Sequence, residues 1–247
     1  MSDAASEWSA DEGNESTTNP EIPVAPVSTI DDVVARMESL RTTLAHSDGV
    51  WWFNELYLAV TKAVRTAVAA SDFASSTFLS RLDVVFASRY FAALDAAATQ
   101  GVPSAWRPLF DARDREDLAP IQFALAGMNA HINYDLVVAL VDTCVELGIE
   151  LTMGGPEHED FLRVNPVLQE VQGNVETEFE GRILQAVERV APRIDTVTHW
   201  SVVAARNHAW DCAQVLWALR DRPTAKDLFL ESLGGMVKLA GRGLLIV

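Results

Sequence analysis

From Ile30 onward, apolar residues recur at spacings of three and four, which is the periodicity of helices packed on one face. Ile30, Val33, Val34, Met37, Leu40 and Leu44 form the first stripe. Thr29 and Asp32 stand before it in capping-box spacing, and Ser47-Asp48-Gly49 closes it. A second helix is expected over about 51–70, with Trp52, Leu56, Val60, Val64 and Val68 along one face. A third is expected over about 76–99, carrying Phe78, Leu82, Val85, Phe86, Tyr90 and Leu94. Residues 102–118, with Pro103 and Pro108, read as a connector.

The fourth segment, Pro120 to Leu147, is apolar nearly all round and stops at Gly148, so it is the expected central helix. Residues 153–158 read as a Gly-Gly-Pro loop that leaves His158 in an acidic, solvated run. Helical patterns resume over about 159–190, interrupted near Asn165-Pro166, and again over about 196–220. After Pro223, Thr224 and Asp227 have the spacing of a cap for a last helix to about residue 240. Strand alternation, sustained heptads and internal repeats are all missing from the pattern. The expected fold is an all-α antiparallel bundle of about six to eight helices around one buried helix.

Within the central helix, Gly127-Met-Asn-Ala-His-Ile-Asn-Tyr-Asp135 places four polar groups where a core helix has none. At about 100° per residue they sort into two pairs. Asn129 and Asn133 share one face, and His131 and Asp135 share another, with Gly127 expected to leave open space one turn before His131. A carboxylate one turn from an imidazole fixes its tautomer and raises its pKa, which suits a general base. The same spacing also presents two metal ligands, and a structural polar network that pins the helix register is a third reading.

A later stripe runs through His199, Val202, Arg206, Trp210, Ala213 and Trp217. Arg206 there, and Arg89 on the third helix, would each either clamp an anionic group or neutralise a buried acid such as Asp135. The candidate set is therefore His131, Asp135 and Arg206 for chemistry, with Asn129, Asn133, Arg89, Trp210 and His199 for ligand binding. No cofactor is expected. Trp51, Trp52, Phe53 and Tyr57 read as core.

Charge narrows the partners. The chain of 247 residues has 19 basic and 35 acidic side chains and a net charge of −16. Six of the acids lie in the first 28 residues with no Lys or Arg among them, in a stretch rich in Ser, Thr, Asn and Pro. Residues 1–27 are thus expected to be a disordered acidic tail ahead of one domain, 28–247. Such a surface repels nucleic-acid phosphate and anionic membrane, which leaves a small-molecule ligand or substrate as the expected partner. Cys144 and Cys212 sit in apolar patterns and read as unpaired. With no basic, apolar leader and no apolar run near the roughly 20 residues that span a bilayer, a cytoplasmic location is expected. Nothing in the pattern fixes the oligomeric state.

Several segments, taken together, resemble a family of helical bacterial proteins known only as a domain of unknown function. They are Trp52-Phe-Asn-Glu-Leu-Tyr57, Arg89-Tyr-Phe91, Ala105-Trp-Arg107, Gly127-Met-Asn-Ala-His-Ile-Asn-Tyr-Asp135 and Arg206-Asn-His-Ala-Trp210. The resemblance spans about residues 29–222 and implies the helical fold and the focal helix, but no reaction. Two functions stay open. One is an enzyme that hydrolyses or cyclises a small, largely apolar metabolite, with His131 as acid/base. The other is a binding protein whose Trp-rich helices hold an apolar ligand. A metal-binding protein using His131 and Asp135 is a further alternative.

Overall fold

A computed structural model describes residues 26–70, 73–99, 101–171, 173 and 201–246, and every described element is helical. In order these are α1 (Ile30–Thr43), α2 (Gly49–Ala70), α3 (Ser76–Ala97), α4 (Arg107–Ala112), α5 (Pro120–Ala130), a π-helical turn (His131–Asp135), α6 (Leu136–Leu147), α7 (Pro156–Arg163), α8 (Val202–Leu219) and α9 (Pro223–Leu244). Residues 165–171 are helical as well. Residues 1–25 of the expected acidic tail lie outside the described residues, as do His199 and residues 174–190 of the stretch expected to be helical, while Val27 packs against the core.

Local chemistry sets the boundaries. The capping box of α1 forms: Thr29 Oγ1 accepts from Asp32 N at 3.1 Å, and Asp32 Oδ2 accepts from Thr29 N at 2.9 Å. Asp48 accepts from Val50 N at 2.9 Å at the start of α2, and Arg113 binds the same carboxylate. Gly148 closes α6 at φ 66°, in the left-handed region where a side chain is strained. Three boundaries differ from the sequence reading. The connector contains α4, started by a proline in its first turn. His158 belongs to α7 rather than to a loop, because Pro156 opens that helix earlier than expected. The Thr224–Asp227 cap does not form, because Pro223 already supplies the first turn of α9 and moves its start upstream.

The long segment α5–π–α6 runs through the middle. Its first half packs on α2 and α9, its second half on α3 and α8, while α1 covers α2 and α3. Gln122 ties the entry of α5 to the end of α9 by donating to the carbonyls of Leu244 and Ile246. Taken whole, Pro120–Leu147 is long and apolar enough to cross a membrane, contrary to the reading that no segment is. Yet 89% of its most apolar stretch is buried inside the fold, so its hydrophobicity is satisfied by its own neighbours. Trp51, Phe53 and Tyr57 are buried as expected, and Trp52 packs against the same core.

Candidate functional site

His131 and Asp135, 1% and 4% exposed, are held inside the bundle. The backbone between them departs from the α-helix: Leu136 N bonds to the carbonyl of His131, an i to i+5 pattern. Such π turns are rare and concentrate at functional sites. Across it, His131 Nδ1 lies 3.1 Å from Asp135 Oδ2. That same oxygen accepts from Trp106 Nε1 at 2.9 Å. The carboxylate therefore accepts a hydrogen bond from Nδ1–H and leaves Nε2, on the far side of the ring, as the bare nitrogen. Nε2 is buried without a hydrogen-bond partner among the described residues.

The ring itself cannot tumble. Phe86 stacks on its face at 3.6 Å between centroids and 6° between planes, and Tyr57 and Phe53 meet it edge-on at 4.4 and 5.7 Å. Burial also decides its charge. Loss of water pulls the His131 pKa below its ordinary value, and the opposing hydrogen bond and charge of Asp135 do not make up the difference. The sequence reading had the carboxylate raising that pKa. In the structure desolvation is the larger effect, so the imidazole is neutral at neutral pH.

The partner of Asp135 is also corrected. Neither arginine reaches it; the donor is Trp106, an indole whose N–H needs an acceptor when fully buried. Arg89 sits instead 3.4 Å from Asp142, beside an open groove that Asp135 also borders. Arg206 donates to Asn165 Oδ1 at 3.0 Å and to the Phe161 carbonyl at 2.9 Å, and lies 3.9 Å over the Phe161 ring. Replacing Trp106 by Phe is expected to leave Asp135 short of a donor and to lower unfolding stability by about 1–3 kcal/mol in urea denaturation. An unchanged midpoint would mean that the indole bond is not structural.

A cavity of about 50 Å³ opens beside the imidazole, walled by α2, α3, the π turn, α8 and residues 164–168. Its lining is apolar apart from Tyr57, Thr61, Asp83, His131 and Arg206. The structure thus places Arg206 on the same cavity as His131. It does not bring the asparagines there: Asn133 donates to Asn129 at 3.1 Å, and Asn129 donates to the Val237 carbonyl on α9 at 2.9 Å. Their polarity is spent on gluing α9 to the central helix. Trp210 packs among Phe78, His158 and Phe161 rather than along the cavity. The open space expected at Gly127 is filled by the ring of Phe53.

Asp83 is the residue that the sequence reading overlooked. It stands four after Leu79 and three before Phe86, hence on the buried stripe of α3, and an acid in that register was the available signal. Part of the residue reaches solvent, but its Oδ2 is buried without a hydrogen-bond partner among the described residues. Burial pushes its pKa up to about 7, against a smaller downward pull from Arg206. Arg206 is itself lowered by burial to about 10 and stays charged at neutral pH. Among the described residues no group of three or more His, Cys, Asp or Glu is arranged to hold a metal ion, and His131 and Asp135 are committed to each other through one oxygen.

A family model with the description "Family of unknown function (DUF5995)" matches residues 30–246. No curated protein and no solved structure matches the chain.

Proposed function

We propose, for a chain that belongs to this family of unknown function, that it is an enzyme using His131 Nε2 as a general base on a small, largely apolar molecule bound in the cavity beside it. One observation carries the reading. A buried nitrogen with its lone pair free is costly to keep, and here its tautomer, orientation and neutral state are all fixed by surrounding groups. A histidine needed only for packing would have both ring nitrogens satisfied. The acidic surface and the burial of the one long apolar helix support a protein at work in the cytoplasm, away from anionic lipid and nucleic acid.

The test is turnover of a panel of short-chain esters, lactones, ketones and unsaturated ketones, comparing the wild type with His131→Asn. Because the base must be unprotonated and burial lowers its pKa, activity is expected to persist below pH 6.5 and to fall only as the pH drops through the lowered His131 value. Turnover that survives the substitution would sink the proposal. A passive apolar binding protein is the second reading; it rests on the largely apolar cavity lining and gives binding without turnover.

A further inference from the structure

We infer that Asp83 is the acid partner of His131, and that together they move a proton within a small uncharged carbonyl compound. This rests on the general-base reading above and names the substrate class and reaction for that site. The geometry carries it. His131 Nε2 and Asp83 Oδ2 are both buried and both without a hydrogen-bond partner among the described residues, and their side chains line one cavity from different elements. A ligand in that cavity has the His131 side chain from the π turn and the Asp83 side chain from α3 in its walls, beside Tyr57, Thr61, Arg206 and otherwise apolar residues. The charged and titratable groups that act on or feel Asp83 are the Arg206 guanidinium from α8 and the Tyr57 phenol from α2, while His131 lines the same cavity from the π turn.

The chemistry follows from what these groups hold at neutral pH. His131 is neutral and Asp83, at about 7, retains its proton in a large share of molecules. Two groups whose environments push their pKa values apart in this sense divide into base and acid. His131 Nε2 takes a proton from the carbon next to the carbonyl. The C–H pair becomes a C=C bond, the carbonyl π pair moves to oxygen, and that oxygen takes the proton of Asp83. The products of this half are an enol, an imidazolium and a carboxylate. Arg206, still charged, steadies the new carboxylate. In the second half the imidazolium returns its proton to a different carbon while Asp83 recovers its own from the enol oxygen. The sum is an isomerisation that needs no co-reactant.

Lining and size define the ligand. A charged substrate would lose its hydration among Val60, Val64, Leu79 and Leu168. A cavity of about 50 Å³ holds roughly four water-sized groups, so the body is short.

The probe is pent-4-en-2-one at millimolar concentration in D2O, followed by ultraviolet absorbance for conjugation and by NMR for deuterium uptake. The wild type is expected to conjugate it and to incorporate deuterium. Asp83→Asn is expected to lower the rate about 100-fold or more and to remove the fall in activity above pH 7. A second readout needs no substrate. The folded carboxyl binds its proton more tightly than the unfolded chain, so Asp83 costs stability as pH rises from about 4 to about 7. The melting temperature of Asp83→Asn relative to wild type is therefore expected to climb between pH 4 and pH 8. A flat difference, or an unaltered rate with Asp83→Asn, overturns the acid assignment. If esters are hydrolysed through His131 but the ketone is neither conjugated nor deuterated, the isomerisation inference fails while the general-base reading stands.

Discussion

Deuterium uptake and turnover by His131→Asn are expected to fall about 100- to 10,000-fold, with the fold retained. Asparagine is the informative replacement because its amide reaches about as far as Nδ1 does. It can donate to Asp135 Oδ2 as the imidazole does, so the Trp106–Asp135 contact keeps its neighbour. What disappears is Nε2, the atom without a hydrogen-bond partner among the described residues. A structural histidine would behave in the opposite way: its removal would cost stability and leave any turnover untouched. The paired measurement is a rate on the best panel substrate and a melting curve on the same preparation. A large rate loss with a small shift in melting identifies a chemical role; a large shift in melting with turnover unaltered identifies a packing role.

Gly127→Ala is expected to destabilise by about 2 kcal/mol, lowering the melting temperature by roughly 4–8 °C. Alanine ordinarily helps a helix by up to about 1 kcal/mol over glycine, so the sign has to be decided by the surroundings. A Cβ at 127 would stand inside van der Waals contact of Phe53, against its Cβ and Cγ as well as its ring edge. The ring cannot escape by turning, since the root of the side chain is also in the way. Phe53 in turn touches Tyr57, Tyr90, Trp106 and His131. The whole of α2 must therefore back away from α5. Gly235 on α9 is the control. A Cβ there meets nothing, and Gly235→Ala is expected to stabilise by about 0.4–1 kcal/mol. Equal effects at the two positions would show that the α2–α5 approach is looser than described.

The same two glycines show what a sequence can and cannot tell. Gly127 was legible as a place without a side chain, because it sits inside a run of large apolar residues. Whether the missing volume faces a ligand or a neighbouring ring depends on α2, some seventy residues earlier, and no local pattern carries that. Elements and their order were legible because each helix has its own stripe and its own stop, Gly148 being the clearest. The His131–Asp135 contact was legible for the same reason, since a spacing of four is a property of one helix. Asp135 and Trp106 find each other across the fold, and the pattern around Trp106 says only that it is large and apolar. Asp83 lay within reach. Its register on α3 placed it among Leu79 and Phe86, but one acid on a long helix draws no notice until a second polar group is seen across the gap. The direction of the His131 shift was not legible at all, because the charge of Asp135 is local and the depth of burial is set by every helix around it.

The π turn has a mechanical meaning. One residue beyond a regular helical turn delays the winding, so α5 and α6 are two rods set out of phase, each presenting its own dry side to a different pair of helices. The joint between them carries the i to i+5 bond in place of the regular helical ladder, and His131 and Asp135 stand at its two ends. Opening of that joint would stretch the distance between them before any neighbouring helix has moved. Amide exchange at 131–136 faster than in the flanking turns would report this breathing, and deleting Ile132 would bring the rods into phase and carry α6 round by about a quarter of a turn against α3 and α8.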